Sequence, residues 1–406
     1  MILASFSIKE LTRNPCNVYL ALWCVYYLQG TLYAEGSVIS QFALLLILAI
    51  SFNAFIKYYS DRSKSFFITM ITFLVLLYTI HGILLLMSFG ETKGFSNTWI
   101  ATEYLKTFYM SILPILTFYR YSQQGYLTAD LLRKWVPVFI IVALLCYYRY
   151  QRETLAKLVS EEGVTNNMGY TMLFLIPPMF LLKKGWQQLL GVIMCALFVI
   201  FSMKRGAILI AVVVLLVKIY QEQKKMKFIY KVSFLVFVCI VVFIVFVYLE
   251  DTFFQDDYFQ NRLTSTLEGK ASGRDNLAQN CLAYYEQGNI IQQLFGYGAN
   301  GTFSAASNWA HSDWIEILVD QGVLGLFVYI CFLLSFYHLC CNKRFSKTSR
   351  NTLTIIFIIF LIRSIFSMSV NDLNFFSSSV LGLCMSDGMR SLEAKTLGNT
   401  FRKRIG

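Results

Sequence analysis

Charge is scarce in this 406-residue chain: Asp, Glu, Lys and Arg make up 14% of it, against 57% hydrophobic residues that include 36 Phe and 25 Tyr. A water-soluble domain has no core large enough for that much apolar surface. A soluble globular fold is therefore excluded, and lipid is the solvent for most of the chain. Histidine is scarcer still, with three in all. No CxxC, Cys/His metal spacing or HExxH occurs, which removes the common zinc motifs. Ten cysteines are present, but nearly all lie inside apolar runs, where a thiol behaves as a small hydrophobe. Only Cys281 falls in a sizeable polar segment. Internal repeats and low-complexity segments are absent as well.

What the chain has instead is run length. A spanning helix needs about 20 mostly apolar residues. Such runs stand near 16–34, 38–56, 66–89, 99–118, 135–150, 166–182, 187–203, 205–220, 229–249, 320–340, 353–370 and 373–389. The pattern predicts an all-α polytopic membrane protein with about twelve transmembrane helices. No small-residue cleavage site follows the first run, so it is expected to stay in the membrane rather than leave as a signal. With the N-terminus inside and the runs alternating, 24 of the 35 Lys and Arg fall on inside segments and nine outside. That split follows the positive-inside rule, so both termini are expected to be cytoplasmic. The net charge of +12 then records topology rather than nucleic-acid binding.

Residues 1–406 read as a single integral membrane domain. It carries one large, helical extracytoplasmic insertion, residues 250–313, between helices 9 and 10. Long ordered loops usually carry function, and the smaller outside pieces 89–98 and 151–165 are expected to pack near this one. "SGRDNLAQNCLAYYEQG" (272–288) reads as a short helix capped by Ser272 and stopped by Gly288. "LFGYGANGTF" (294–303) sets Tyr297 among Gly296, Gly298 and Gly301, which suits a tight turn or close backbone approach to a ligand. "NWAHSDWIEILVDQG" (308–322) starts another short helix with His311 in its first turn. Asp313 and Glu316 fit a capping box there, Trp309 and Trp314 suit a membrane–water interface, and Gly322 separates this helix from span ten.

His311 is the only histidine expected to face the outer compartment, since His81 lies within span three and His338 near the inner end of span ten. It is either an amphipathic surface residue beside tryptophans or a general base suited to neutral pH. Joining it with Asp313 and Glu316 around a metal yields no recognised ligand spacing, so neither metal nor cofactor is expected. The insertion holds eight acidic residues against Arg262, Lys270 and Arg274. Any anion site there rests on a few placed cations. Arg274 opens a helix, whose N-terminus favours an anion, or is simply solvated. Lys204 and Arg205 in "FSMKRGAIL" stand outside, against the topology, in a hairpin between short runs. A basic residue at the bilayer centre costs about 2.5–3.5 kcal/mol, so such a residue snorkels to lipid phosphates or has a partner or a task. Arg363, midway along span eleven, poses the same question more sharply, and Glu103 and Lys106 are spaced to pair.

The late string Gly296-x-Gly298, then His311-Ser312-Asp313-Trp314-x-Glu316-x-Leu318, then Gly322 and Gly325, stands ahead of a transmembrane helix. It resembles the O-antigen polymerase/ligase superfamily (Wzy- and WaaL-type membrane glycosyltransferases). "MKRGAIL" (203–209) is similar to the family's arginine-bearing outer turn, "SGRDN" (272–276) to its second arginine motif and "NNMGYTMLFLIP" (166–177) to its mid-chain span. The ordered likeness runs over nearly the whole chain.

The resemblance implies a GT-C-like, metal-independent, inverting glycosyltransferase at the outer face of the bacterial cytoplasmic membrane. Its donor would be an undecaprenyl-diphosphate-linked oligosaccharide and its acceptor a glycan. In that scheme His311 takes the proton of the acceptor hydroxyl. Arg205, Arg274 and Lys204 hold the donor diphosphate, and Asp313, Glu316, Tyr297, Gly298 and Arg363 support them. A polymerase joining lipid-linked repeat units into O-antigen, capsule or exopolysaccharide is expected, with a chain-length regulator or flippase of the same pathway as partner. A ligase transferring the glycan to lipid A core or protein is the alternative. A twelve-helix transporter or flippase is a lesser one, disfavoured by the place of the insertion and the lack of related halves. A metal-dependent membrane glycosyltransferase is disfavoured because the first outside loop, "AEGS" (34–37), holds only Glu35.

Overall fold

The computed structural model describes residues 13–59, 65–88, 90–158, 168–202, 204–223, 274–299 and 301–387. The helices in chain order are α1 (Pro15–Tyr27), α2 (Val38–Tyr59), α3 (Phe66–Met87), α4 (Asn97–Gln123), α5 (Ala129–Leu158), α6 (Met168–Phe174), α7 (Ile176–Met179) and α8 (Gly185–Phe201). They continue with α9 (Arg205–Gln223), α10 (Arg274–Glu286), α11 (Ile290–Phe295), α12 (Gly301–Ala306), α13 (Asp313–Cys341) and α14 (Lys347–Phe366), and α15 spans 375–387. Eleven of the apolar runs fall on these helices. The run 229–249 lies outside the described residues, as do Arg262, Lys270 and Ser272.

Helices α2, α3, α13 and α14 are long and apolar enough to cross a membrane, while 168–179, α8 and most of α9 are shorter apolar helices. Their burial pattern is that of lipid-solvated helices. In α3, Ile71, Leu74, Val75 and Tyr78 are buried, yet Phe73, Leu76, Ile80 and Leu84 are exposed. A helix apolar on every face belongs in a core or a membrane, not in water. Asn14 caps α1 through the Cys16 N–H, with Pro15 at the first helical position, where its missing N–H costs nothing.

Aromatic rings knit the bundle together. Trp23 of α1 stacks on Phe375 of α15 at 5.1 Å, and Phe139 of α5 sits edge-on to the same ring. Helix α13 packs against α3 and α14, α4 against α2 and α3, and α9 against α8 and α14. The Glu103–Lys106 ion pair forms within α4, as its spacing suggests.

Among the described residues, one element departs from the all-helical expectation. It is a hairpin of β1 (Glu91–Thr92) and β2 (Phe95–Ser96). Its turn residues Lys93 and Gly94 have φ of 52° and 83°, the type I′ geometry that matches the twist of paired strands. The hairpin meets the late insertion, as expected of 89–98: Lys93 Nζ donates to Ser307 Oγ at 3.1 Å, and Phe95 packs edge-on against Phe303. Residues 159–165 lie outside the described part. Helices α10, α11 and α12 sit on the start of α13. They enclose a small separate core of Cys281, Ala310 and Val319, flanked by Tyr284, Tyr285, Tyr297 and Ile315.

Candidate active site

Helix α13 is two helices joined at a break. Gly322 has φ 69° and ψ −169°, which separates 313–321 from the spanning part, as the sequence suggests. Near the break, the Val319 and Asp320 carbonyls accept from the Tyr297 N–H at 2.8 Å and the Gly298 N–H at 2.9 Å. A Cβ on Gly296 would stand 2.3 Å from the Asp320 carbonyl, and one on Gly322 would stand 2.4 Å from that of Leu294. Two backbones cross here with no room for a side chain, so these glycines serve the crossing itself. Gly298 has open space around it and is needed for its φ of 93°. Tyr297 packs on Tyr284 and donates its hydroxyl to the Tyr284 carbonyl at 2.9 Å, which makes it part of the insertion's core.

Spacing of i, i+3 and i+7 puts Asp313, Glu316 and Asp320 on one face of the short helix, and all three are buried. Each braces neighbouring chain, and Glu316 and Asp320 share Thr302. Asp313 accepts from the Ser369 N–H (2.9 Å), the Val370 N–H (3.1 Å) and the Tyr329 hydroxyl (2.9 Å). Glu316 accepts from the Thr302 hydroxyl on one oxygen and the Ala310 N–H on the other, both at 2.8 Å. Asp320 accepts from the Thr302 N–H at 3.2 Å. The capping-box expectation for Asp313 and Glu316 is thus corrected. Ser312 is the N-cap, and both carboxylates are drawn away from the helix end to brace neighbouring segments.

His311 precedes the helix rather than lying in its first turn. Its φ is 53°, a left-handed conformation that a Cβ disfavours. Both flanking residues are tied down. Ala310 is held by Glu316, and Ser312 gives its carbonyl to the Glu316 N–H at 2.9 Å and its hydroxyl to the Ser364 carbonyl at 3.4 Å. Trp314, expected at a membrane–water interface, is also tied into the fold. Half-buried, it donates Nε1 to Ser364 Oγ at 3.1 Å and meets Tyr329 edge-on.

Ser364 leads directly to the cationic side of the site. Its neighbour Arg363, only 3% exposed, donates Nη1 to the Asp372 carbonyl at 2.7 Å and pairs with the Asp372 carboxylate. The guanidinium lies 4.5 Å from the Tyr170 ring centre and 5.1 Å from that of Phe174. Its Nε is buried with no acceptor among the described residues. Lys204 Nζ stands 5.7 Å from the same Tyr170 ring. A Cβ on Gly206 would meet the Tyr170 hydroxyl at 2.7 Å, so the start of α9 presses on that tyrosine.

The segment 312–314 is thus tied through Ser364 to the neighbour of Arg363, and Arg363 and Lys204 share the Tyr170 ring. Arg205 opens α9, and Arg274 opens α10, which packs against α12 and α13. The side chains of both arginines lie outside the described residues. Sequence reasoning missed Tyr170, Thr302, Ser364 and Asp372. Only Asp372 had a usable signal, since an arginine inside an apolar run needs an anion and Asp372 is the first acid after it.

Among the described residues, no three His, Cys, Asp or Glu side chains gather as a metal's ligands would. Residues 190–330 match the family model described as O-antigen ligase. The matched segment runs from within α8 to within α13. It includes His311, Arg205, Arg274 and Lys204, while Tyr170, Arg363 and Asp372 lie outside it. A search of curated proteins returned no match.

Proposed function

We propose that this chain, which residues 190–330 make a member of the O-antigen polymerase/ligase superfamily, is a polysaccharide polymerase joining undecaprenyl-diphosphate-linked repeat units at the outer face of the bacterial cytoplasmic membrane. Its topology in this reading is about twelve spans with both termini inside, from the positive-inside count. The observation that carries the reading is the docking of the His311 segment on Ser364, next to Arg363 and the Tyr170 ring that Lys204 also faces. In this reading the segment that bears the proton acceptor is anchored beside the cationic pole.

The chemistry follows from what glycosyl transfer needs. A sugar hydroxyl is a weak nucleophile, and removing its proton in the transition state contributes about 10²–10⁴-fold. The hydroxyl oxygen bonds to the anomeric carbon as that carbon's bond to the diphosphate oxygen breaks. The proton passes to the His311 imidazole, and the electron pair leaves with the diphosphate. Direct displacement inverts the anomeric centre. A diphosphate leaving group is already ionised and needs fixed positive charge rather than an acid. Arginine supplies that charge as a planar, permanently protonated fork. Arg205, Arg274 and Lys204 take this role, and the Arg363 Nε, buried with no acceptor among the described residues, supports adding it to the set. No metal is required by this scheme.

The ligase form uses the same residues, and the matched family's own description favours it as the second reading. Purified protein in detergent, given only lipid-linked repeat units, tests the two. A ladder of longer lipid-linked glycans supports the polymerase. Product that forms only after lipid A core or an acceptor protein is added supports the ligase. No product in either arm overturns both.

A further inference from the structure

Two residues before His311, a group of aromatic rings lies at the surface of the described residues. Phe95 and Trp99 stack at 5.4 Å with 25° between planes, Phe303 meets Phe95 edge-on at 5.5 Å, and Trp309 lies against Phe303 at 5.7 Å. Trp99, Phe95 and Trp309 are 47%, 44% and 40% exposed, so these are large apolar faces that the described residues leave uncovered. They come from two segments far apart in sequence, which the Lys93–Ser307 hydrogen bond ties together. Among the described residues, Lys93, Ser307 and His311 are the non-glycine residues with left-handed backbone. Such conformations persist where the surrounding structure holds them, and they concentrate at binding and catalytic sites.

We propose that this shelf of Phe95, Trp99, Phe303 and Trp309 is the acceptor subsite, where the C–H face of a pyranose ring of the acceptor glycan stacks on exposed aromatic rings. The proposal rests on the transferase reading above and names the part of the site that takes the acceptor. Three observations favour a sugar over lipid as the occupant. The shelf is continuous with the His311 segment, since two residues of chain reach at most about 7 Å. Its rim is polar, formed by exposed Lys93, Ser307 and Asn308, which suits a ligand apolar on one face and hydroxylated at its edge. Its rings are fixed against each other across two tethered segments. A ring ligand rewards that preorganisation, whereas a membrane anchor needs depth but no fixed geometry.

The test uses full-length protein in detergent and the lipid-free oligosaccharide released by mild acid from the host's own lipid-linked repeats. Binding is read by saturation-transfer NMR, so it does not depend on turnover. Wild type and His311→Ala are expected to bind the oligosaccharide alike. Trp309→Ala should weaken binding about tenfold, with Trp309→Phe recovering most of it. In the transfer assay, the acceptor KM should rise in Trp309→Ala while kcat moves much less. Oligosaccharide binding unchanged in Trp309→Ala overturns the shelf and leaves the transferase reading standing. Shelf-dependent binding in a wild type that transfers nothing overturns the transferase reading instead. In nanodiscs with brominated acyl chains, fluorescence quenching that disappears in Trp309→Phe would mark Trp309 as a membrane anchor and also overturn the proposal.

Discussion

Glu316→Gln is the sharpest probe of how the His311 segment is held. In the folded protein each Glu316 oxygen takes one donor, the Thr302 hydroxyl and the Ala310 N–H, both at 2.8 Å. A glutamine has the same shape but a single acceptor oxygen, so one of the two donors must face its NH₂ group. Leaving one buried donor unsatisfied costs about 1–3 kcal/mol. If that cost falls on the Ala310 side, the segment bearing His311 loosens and transfer drops by about 5- to 150-fold, at about 1.4 kcal/mol per decade. The assay is kcat and KM for purified protein on lipid-linked repeats, with thermal unfolding measured in parallel. The drop should fall on kcat, and the melting temperature should fall by only a few degrees, as that cost implies. Adding Thr302→Val removes the competing hydroxyl donor and should restore part of the activity, a non-additive result expected of residues in direct contact. Wild-type kcat in Glu316→Gln would refute the bracing role. A melting loss that accounts for all the lost activity would reduce Glu316 to a packing residue.

Three further outcomes follow from the same geometry. Arg363→Lys keeps the charge but loses the planar fork that meets Asp372 on two atoms, so donor KM should rise at least about tenfold; an unchanged donor KM would remove Arg363 from the site. Gly322→Ala forces a Cβ into φ 69° at 2.4 Å from the Leu294 carbonyl, costing about 1–2 kcal/mol before any clash. Its purified yield and melting temperature should fall, while Gly185→Ala, with nothing within 4 Å of the added Cβ, should not change either. Burial pushes the Cys281 thiol up to about 12, so it stays protonated and shielded across neutral pH. At pH 8, maleimide followed by peptide mass spectrometry should label exposed Cys341 and spare Cys281 until the protein is unfolded.

Much of this architecture was legible in the sequence because membranes impose a simple code. Apolar run length marked the helices, and the break at Gly322 was visible as a glycine between a polar start and an apolar run. His311 stood out as the one histidine outside the apolar runs. The roles of Asp313 and Glu316 were not legible. Spacing alone cannot distinguish a carboxylate that caps its own helix from one that reaches residues 302, 310 or 369 across the fold. The link from Ser364 to the His311 segment was hidden for a related reason, since a serine inside an apolar helix carries no sign of its partner. The hairpin at 91–96 was too short to show alternation, and only its Lys93–Gly94 turn marks it.

His311 as the proton acceptor is the centre of the proposed mechanism. The most direct measurement is kcat of His311→Ala against wild type, on purified protein with saturating lipid-linked repeats. A fall of about 10²–10⁴-fold with donor binding retained is predicted. A loss of less than tenfold, or lost activity explained wholly by lost donor binding, would contradict it.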